Sequence, residues 1–279
     1  MQHYAKKRFG QNFLVDTNVI QQIVDSIQPQ TDDLMVEIGP GLGAMTRPLL
    51  SRLQQLNVIE LDRDIIPKLV KNCVFSDPAN KEKLIVHQAD VLKFDFSVFH
   101  LQHSQQYPET DKRLRIVGNL PYNISTPVLF HLLNYRHLIE DMHFMLQKEV
   151  VDRIVAKPGN KLYGRLSVML QTFCHTEFLF EVPPFAFEPA PKVHSAILRL
   201  RPNSRFEDQI KDFSSYEKLV RQAFSQRRKT IKNTLKNLCT AEDIKQANLV
   251  ISQRAEELST EDFVNLYRTI SRQDTTIHR

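Results

Sequence analysis

The chain has 279 residues, a length that allows one large hydrophobic core and a second, smaller one. Hydrophobic residues make up 42% of it and charged residues 25%, and no apolar run approaches the length of a transmembrane helix, so the composition excludes disordered, fibrous and membrane-spanning proteins. The net charge of +5 indicates a polyanionic partner without requiring one.

The first two thirds of the chain alternate between predicted strands and helices. Apolar residues recur at helical spacing over residues 18–28. Five short apolar runs are then predicted as strands, at residues 34–38, 56–60, 84–87, 114–118 and 142–146. Two further β-rich runs, 173–182 and 193–200, are joined by a proline-rich connection without a helix. This order predicts an α/β fold with a mostly parallel, seven-stranded sheet, helices on both faces and a terminal antiparallel hairpin.

The pattern changes in the last quarter of the chain, where every periodic segment becomes helical. One helix is predicted from Tyr216 onward, and two more at residues 241–246 and 260–270. We therefore predict two domains, residues 1–203 and residues 204–279, of which the second is small and all-α.

The cysteines and histidines give no sign of a disulfide framework or a metal site. Cys73, Cys174 and Cys239 are far apart and form no C-x-x-C pair. None of the ten histidines stands in a metal-binding pattern. The N-terminus has basic residues but no apolar signal region behind them. We therefore expect no bound metal, and a cytoplasmic protein that does not associate with membranes.

A glycine-rich loop follows the first strand of the predicted sheet. Gly39 and Gly41 allow a sharp turn and let a ligand lie against the backbone. Glu60 ends the next strand and Asp90 follows the third, so both carboxylates are predicted at the same edge of the sheet. The loop also fits a dinucleotide fingerprint, and NAD is the alternative ligand. Because Pro40 removes an N–H that a pyrophosphate would need, and because acids stand at successive strand ends, the pattern favours S-adenosylmethionine.

Four residues at the end of the predicted strand 114–118 form a second chemical signature. Asn119, Leu120, Pro121 and Tyr122 combine an amide, a backbone carbonyl, a rigid proline and an aromatic ring. The amide oxygen and the carbonyl can accept the two hydrogens of an exocyclic amine while the ring stacks on its base. The alternative is a proline turn that only closes the strand.

These signatures stand in the order found in the KsgA family of small-subunit ribosomal RNA adenine dimethyltransferases, which the chain closely resembles. The motifs extend over nearly its whole length: FGQNFL, EIGPGLG, IELD, QAD, NLPYN, MLQKEV, YGRLSV, PKV and FSQRRKT. The resemblance implies a Rossmann-like class I methyltransferase fold, S-adenosylmethionine as cofactor, and dimethylation of two adjacent adenosines near the 3′ end of 16S rRNA. It implies the small ribosomal subunit as partner, and we expect a monomer.

The same resemblance implies roles for individual residues. The cofactor would be held by Asn12, Leu14, Gly39, Gly41, Glu60, Asp90 and Asn119. The target adenine would be held by Asn119, Leu120, Pro121, Tyr122 and Phe187. Glu60 would bind the ribose hydroxyls, Asp90 the adenine amine of the cofactor, and Asn119 would contact cofactor and target. Phe185 and Phe187 are both candidates for the second face of the target base, the family favouring Phe187, and loop packing is the alternative for each.

Basic residues near both ends of the chain are predicted to contact RNA. They are Lys6, Lys7, Arg8, Arg221, Arg227, Arg228, Lys229 and Lys232. The C-terminal group is predicted on one helix, where Arg228, Lys232 and Lys236 form a basic stripe at spacings of four residues. A solvated helix face without a partner is the alternative.

Two other functions fit part of the pattern. Antibiotic-resistance methyltransferases of large-subunit RNA have a similar cofactor loop and a similar N-[IL]-P-[YF] turn, but the QRRKT segment favours the small-subunit enzymes. A ribosome-assembly factor with secondary or lost catalysis is the third interpretation, although the two acids and the turn from Asn119 to Tyr122 are present.

The chain departs from the family at two internal segments and in the tail after Arg272, which resembles no family motif. Residues 73–83 and 100–113 look longer or divergent and are predicted as surface loops, and both leave every motif intact.

Overall fold

A computed structural model describes the chain at residues 12–108 and 112–277, with side chains up to residue 272. The chain divides into two compact units. The first contains the described residues up to Val151 and Glu177–Pro202; the second contains Asp152–Thr176 and the chain from Asn203 onward. No helix in the described residues is both long and apolar enough to cross a membrane.

The first unit is built around a seven-stranded sheet with a two-stranded ladder beside it. The strands are β1 Phe13–Leu14, β2 Leu34–Ile38, β3 Leu56–Glu60, β4 Leu84–Gln88, β5 Leu114–Asn119, β6 Ile139–Gln147, β7 Cys174–Val182, β8 Phe187–Glu188 and β9 Ser195–Pro202. The sheet order is β4-β3-β2-β5-β6-β9-β7, and β1 pairs with β8. The pairings from β4 to β6 are parallel, whereas β9 runs antiparallel to β6. The predicted fold class is confirmed.

Most connections between the strands contain a helix. These are α1 Thr17–Ile27, α2 Thr46–Leu50, α3 Ile66–Ser76, α4 Asn80–Lys83, α5 Phe96–Gln106, α6 Ser125–Leu133 and α7 Lys148–Val155. Strands β2 and β3 are buried at every position, which explains why most of their residues are apolar. Helix α1 begins where the Asp16 carboxylate accepts hydrogen bonds from the N–H groups of Asn18 and Val19.

Helices occupy most of residues 73–83 and the first half of residues 100–113, so the prediction of surface loops is wrong for those parts. Helix α3 continues to Ser76 and α4 begins at Asn80. Cys73 is fully buried in the hydrophobic core, so an apolar contact holds α3 in place through its last turn. Helix α5 covers the first half of the second segment and begins at the Asp95 cap. Polar sequence concealed these helices because only one side of each is buried.

The second unit is helical in its C-terminal part. Its helices are α8 Arg165–Phe173, α9 Phe213–Ala223, α10 Ile231–Thr234, α11 Ala241–Gln246 and α12 Thr260–Ile277. Aromatic rings form much of its core: the ring of Phe224 lies 6.3 Å from that of Tyr163 and 5.8 Å from that of Phe263. The hydroxyl groups of Tyr216 and Thr172 are hydrogen-bonded at 2.9 Å.

The predicted basic stripe along one helix is wrong. Helix α9 ends at Ala223, and turns follow until Thr230, whose backbone is extended (φ −71°, ψ 158°) and pairs with Arg254. The Ile231 N–H then donates to the Gln253 carbonyl at 2.8 Å. Because these backbone bonds interrupt the helix, the residues before and after Thr230 do not share a helical face.

The second unit also contains residues 152–176, upstream of the predicted boundary at 203. Helix α8 packs on α9, where the ring of Phe173 lies 5.8 Å from that of Tyr216 and Arg165 pairs with Glu217. The boundary of the functional domains at residue 203 stays a prediction.

A buried ion-pair cluster lies at the beginning of β5. The Arg115 guanidinium donates to Asp33 at 2.6 Å, to Asp141 at 2.7 Å and to the carbonyls of Ile27 and Gln28. Its side chain is 12% exposed, so one positive and two negative charges are held together in a largely dry environment.

We predict that Arg115→Met lowers the free energy of unfolding by about 3–5 kcal/mol, because two mostly buried carboxylates lose their partner. Urea unfolding followed by circular dichroism measures the change. The control is Arg113→Met: Arg113 pairs with Glu140 at 3.7 Å on the surface, where a pair contributes at most about 1 kcal/mol. Equal effects of the two substitutions would contradict the conclusion that the buried ion pairs of Arg115 stabilise the fold.

Candidate active site

The carboxyl ends of β2, β3 and β5 and the residues after β4 surround one cavity of about 700 Å³ in the first unit. This volume is typical of small-molecule sites. The predicted cofactor and target residues all line it: Asn12, Leu14, Gly39, Gly41, Glu60, Asp90, Asn119, Leu120, Pro121, Tyr122 and Phe187. Their individual roles stay predictions, but the fold brings them to one place.

The loop after β2 has a backbone conformation that glycine adopts most easily. Gly39 and Gly41 have φ angles of +67° and +57°. The Gly39 N–H donates to the Ile59 carbonyl at 3.0 Å, which ties the loop to β3. A Cβ atom at Gly41 would lie 3.5 Å from the ring of Phe13. Strand β1 therefore packs against the loop and forms one wall of the cavity.

Two carboxylates stand at neighbouring strand ends. Glu60 is 8% exposed and accepts a hydrogen bond from the Asp62 N–H at 2.8 Å. Burial raises the pKa of Glu60, and hydrogen bonds from backbone N–H groups partly offset the rise. Asp90 follows β4 and accepts from the Leu92 N–H at 3.0 Å, which fixes its carboxylate. Two fixed acceptors suit a ligand that presents hydroxyl and amine donors.

A third carboxylate, Glu37, lies in β2 two residues before the glycine loop. It is 1% exposed and accepts a hydrogen bond from the Thr46 hydroxyl at 2.7 Å. Burial raises the pKa of Glu37 to about 7; the Thr46 hydrogen bond opposes this rise, and the charge of Glu60 adds to it. At neutral pH the carboxyl is therefore only partly ionised, and a cation in the cavity would favour its charged form.

Asn119 is held between β2 and the N-terminal segment. Its side-chain Nδ2 donates to the Asn12 carbonyl at 3.4 Å, which leaves Oδ1 as the acceptor of the amide. The preceding residue, Gly118, approaches β2 so closely that a Cβ atom would lie 2.5 Å from the Ile38 carbonyl oxygen. A side chain at this position would separate the two strands and displace Asn119.

The turn after Asn119 is anchored at two points. The Leu120 N–H donates to the Met145 carbonyl at 3.2 Å, which extends the ladder to β6. The Tyr122 hydroxyl is hydrogen-bonded to the hydroxyl of Ser195, a fully buried residue, at 2.8 Å. Burial raises the pKa of the Tyr122 phenol, so it stays neutral at physiological pH. The ring is therefore held by its hydroxyl while it lines the cavity.

The two phenylalanines of the proline-rich connection have different surroundings. Phe187 lies in β8, where it pairs with Leu14, and it lines the cavity with only 5% of its surface exposed. Phe185 lies in the 3₁₀ turn Pro184–Ala186 and is 74% exposed. The structure therefore places Phe187 at the cavity and Phe185 outside it.

Sequence reasoning overlooked four residues of this site: Phe13, Thr46, Gly118 and Ser195. A glycine inside a strand signals close backbone approach, so Gly118 could have been found. No signal marks Ser195 or Thr46, because their partners are set by tertiary packing.

Most of the C-terminal basic residues are exposed on the second unit. Arg221, Arg228, Lys229 and Lys232 belong to this group. Arg227 is also exposed, but its guanidinium donates to the Lys161 carbonyl at 2.6 Å and lies 3.5 Å from the Glu256 carboxylate. Part of its role is therefore structural. Lys6, Lys7 and Arg8 lie outside the described residues.

The fold and the site define a class I methyltransferase that uses S-adenosylmethionine. A dimethyladenosine transferase from Plasmodium falciparum superposes with a TM-score of 0.75 and 24% identity, covering 91% of this chain and 95% of that one. The 23S rRNA methyltransferase ErmE superposes with a TM-score of 0.66 and 24% identity, covering 93% and 100%. Both likenesses show the shared fold.

The family follows from the sequence comparison: a family model described as ribosomal RNA adenine dimethylase matches residues 2–272, and the chain belongs to this family. Three relatives are each named ribosomal RNA small subunit methyltransferase A. The one from Shewanella sp. (strain MR-7) is 48% identical over 262 residues, covering 94% of this chain and 93% of the relative. That from Saccharophagus degradans is 50% identical over 269 residues (96% and 95%), and that from Yersinia pestis 47% over 273 residues (98% and 96%). The resemblance noted in the sequence is confirmed, and the chain is an S-adenosylmethionine-dependent enzyme.

We predict that Glu37 makes the protein without added cofactor less stable as the pH rises from about 5 to about 7. The folded protein keeps the Glu37 proton up to a pKa of about 7, whereas the unfolded chain loses it near the ordinary value of 4.5. Stability therefore falls across this window and levels off above it, by roughly 1–3 kcal/mol in all.

Glu37→Gln keeps an acceptor for Thr46 and carries no charge, so it should remove this part of the pH dependence. Urea unfolding of both proteins at several pH values gives the comparison. Glu82→Gln, at an exposed position in α4, is the control and should leave the wild-type curve unchanged. Parallel curves for wild type and Glu37→Gln would contradict the prediction.

Proposed function

We propose that the protein transfers four methyl groups from S-adenosylmethionine to the 6-amino groups of two adjacent adenosines, in a loop near the 3′ end of 16S rRNA. The substrate is the small ribosomal subunit late in its assembly. The observation that carries the proposal is the convergence of the turn Asn119–Tyr122 with Glu60 and Asp90 at one cavity. The name of the relatives that are about half identical to this chain supports the choice of subunit.

The residues at the cavity suit the cofactor. When bound, S-adenosylmethionine supplies an electrophilic methyl group on a sulfonium centre. Glu60 would accept hydrogen bonds from its ribose hydroxyls and Asp90 from its adenine amine, while Gly39 and Gly41 would let it lie against the loop. Glu37, whose ionised form is favoured by a nearby cation, matches the positive charge of such a ligand.

Asn119 and Leu120 would activate the target. An adenine amine is a poor nucleophile because its lone pair is delocalised into the ring. Asn119 Oδ1 and the Leu120 carbonyl would accept its two hydrogens and draw the nitrogen towards tetrahedral geometry, which localises the lone pair. Because both acceptors are fixed by backbone contacts, they need no rearrangement during transfer.

Tyr122 and Phe187 would hold the base between them. The Tyr122 ring is oriented by its hydrogen bond to Ser195, and Phe187 is fixed by the β1–β8 ladder. Stacking of a flipped base on an aromatic side chain provides affinity without a sequence-specific contact. Pro121 would keep the turn rigid.

We propose that the enzyme works as a monomer in the cytoplasm, where ribosomal subunits are assembled. The decisive assay uses labelled S-adenosylmethionine with purified, unmethylated small subunits and, separately, large subunits. Label in two adjacent adenosines of the small subunit alone is expected. Label in the large subunit would favour the alternative that the structural likeness to ErmE leaves open. Tight binding without any transfer would favour an assembly factor.

Asn119→Ala should lower the rate of methyl transfer by roughly 10²–10³-fold, because one preorganised acceptor is lost. The measurement is single-turnover transfer to small subunits, with subunit binding determined in parallel. Asn134→Ala is the matched control, since this amide ends α6 and bonds only local carbonyls. Near-normal turnover of Asn119→Ala with intact binding would remove Asn119 from the mechanism.

Arg228→Glu should weaken binding to small-subunit RNA and flatten its dependence on salt, because a phosphate contact releases a counterion. Binding is titrated at several salt concentrations. Lys211→Glu makes the same change in net charge at another exposed position of the second unit and should leave the salt slope near that of wild type. An unchanged slope for Arg228→Glu would place Arg228 outside the interface.

A further inference from the structure

The loop that carries Phe187 also holds an exposed aromatic ring with no place in the mechanism above. Phe185 is 74% exposed, although its chain neighbours Ala186 and Phe187 are buried. A single exposed apolar residue needs no explanation by itself. The rigid backbone that carries Phe185 is what distinguishes it from other exposed apolar residues.

The backbone around Phe185 is fixed on both sides. The Ala186 N–H donates to the Pro183 carbonyl at 3.1 Å, and the Ala186 carbonyl accepts from the N–H groups of Val15 at 2.8 Å and Asp16 at 3.3 Å. Two consecutive prolines, Pro183 and Pro184, restrict the chain before it. The ring is therefore presented to solvent from a rigid turn, so little backbone entropy would be lost when it binds a partner.

The position of the turn is at the rim of the cavity. Val15, to which Ala186 is hydrogen-bonded, lines the cavity and is itself half exposed. Phe187 lines the cavity from the other side of Ala186, whereas Phe185 does not line it. Phe185 therefore does not line the cavity, but the next residue, Ala186, connects it to two residues that do, Phe187 through the chain and Val15 through a hydrogen bond.

We propose that Phe185 is a stacking platform for an unpaired nucleotide that flanks the target adenosine. The inference rests on the proposed function, since it requires a single-stranded RNA loop at the cavity. A flipped base leaves its neighbours in the strand without one stacking partner, and an aromatic side chain replaces that partner whatever the base is. Phe185 would thus position the RNA without contacting the reacting atoms.

The first test compares Phe185→Ala with Phe75→Ala. Phe75 is 89% exposed in the last turn of α3 and does not line the cavity, so it controls for the loss of an exposed ring. With unmethylated small subunits as substrate, Phe185→Ala should raise the KM for the subunit about fivefold or more, which corresponds to one lost stacking contact, and leave kcat within about twofold. Phe185→Tyr should restore the wild-type KM. Equal KM values for wild type, Phe185→Ala and Phe75→Ala would overturn the proposal.

The second test detects stacking directly. The chain contains no tryptophan, so Phe185→Trp and Phe75→Trp each introduce a single indole as a fluorescent probe. A single-stranded oligoribonucleotide with two adjacent adenosines should quench the indole at position 185 and leave the one at position 75 unchanged. Heparin, a polyanion without bases, should quench neither. Absence of quenching by RNA, or equal quenching by heparin, would overturn the proposal.

The outcomes separate this proposal from the proposed function. If the wild-type enzyme transfers no methyl groups to small subunits, the proposed function fails. If it does, but Phe185→Ala behaves as wild type and the indole is not quenched, only the role of Phe185 fails. A loss of transfer in Phe185→Ala that acts on kcat, with unchanged KM, would also contradict a positioning role.

Discussion

The site depends on the close approach of two parallel strands at Gly118. A Cβ atom there would lie 2.5 Å from the Ile38 carbonyl oxygen, so only glycine lets β5 come this near to β2. This close approach determines where the next residue, Asn119, lies. A Cβ atom on Gly39 would lie 3.8 Å from the Asn119 carbonyl oxygen, so the end of β5 lies beside the glycine loop that follows β2. The absence of a side chain at Gly118 thus fixes the position of Asn119 beside the cofactor loop.

Electrostatics complements this geometry. Glu37, Glu60 and Asp90 all line the cavity, and burial raises the pKa values of Glu37 and Glu60. An apoprotein with such a site bears an unfavourable free energy of desolvation that a positively charged, donor-rich ligand relieves. The empty site lowers the stability of the folded protein, and ligand binding restores it. This is expected where the residues that would stabilise a core instead form a binding site.

Much of this site could be predicted because its residues stand at strand ends, where sequence and topology are directly linked. The apolar runs located the strands, and parallel pairing brought Glu60, Asp90 and Asn119 to one edge. The β1–β8 ladder could not be predicted, since strands of two residues have no periodicity. The helix break before Thr230 could not be predicted either, because it results from backbone bonds to a segment more than twenty residues later.

When the same amine is methylated twice, the two fixed acceptors meet a different number of N–H groups in each step. In the proposed mechanism, Asn119 Oδ1 and the Leu120 carbonyl would each accept one hydrogen before the first transfer, and only one hydrogen would remain before the second. An acceptor left without a partner in a dry site costs about 1–3 kcal/mol. The enzyme cannot avoid this cost by moving the turn, because bonds to Asn12 and Met145 hold it. In the proposed mechanism, stacking between Tyr122 and Phe187 would not depend on the number of N–H groups, and it would therefore provide the binding energy that remains the same for both steps.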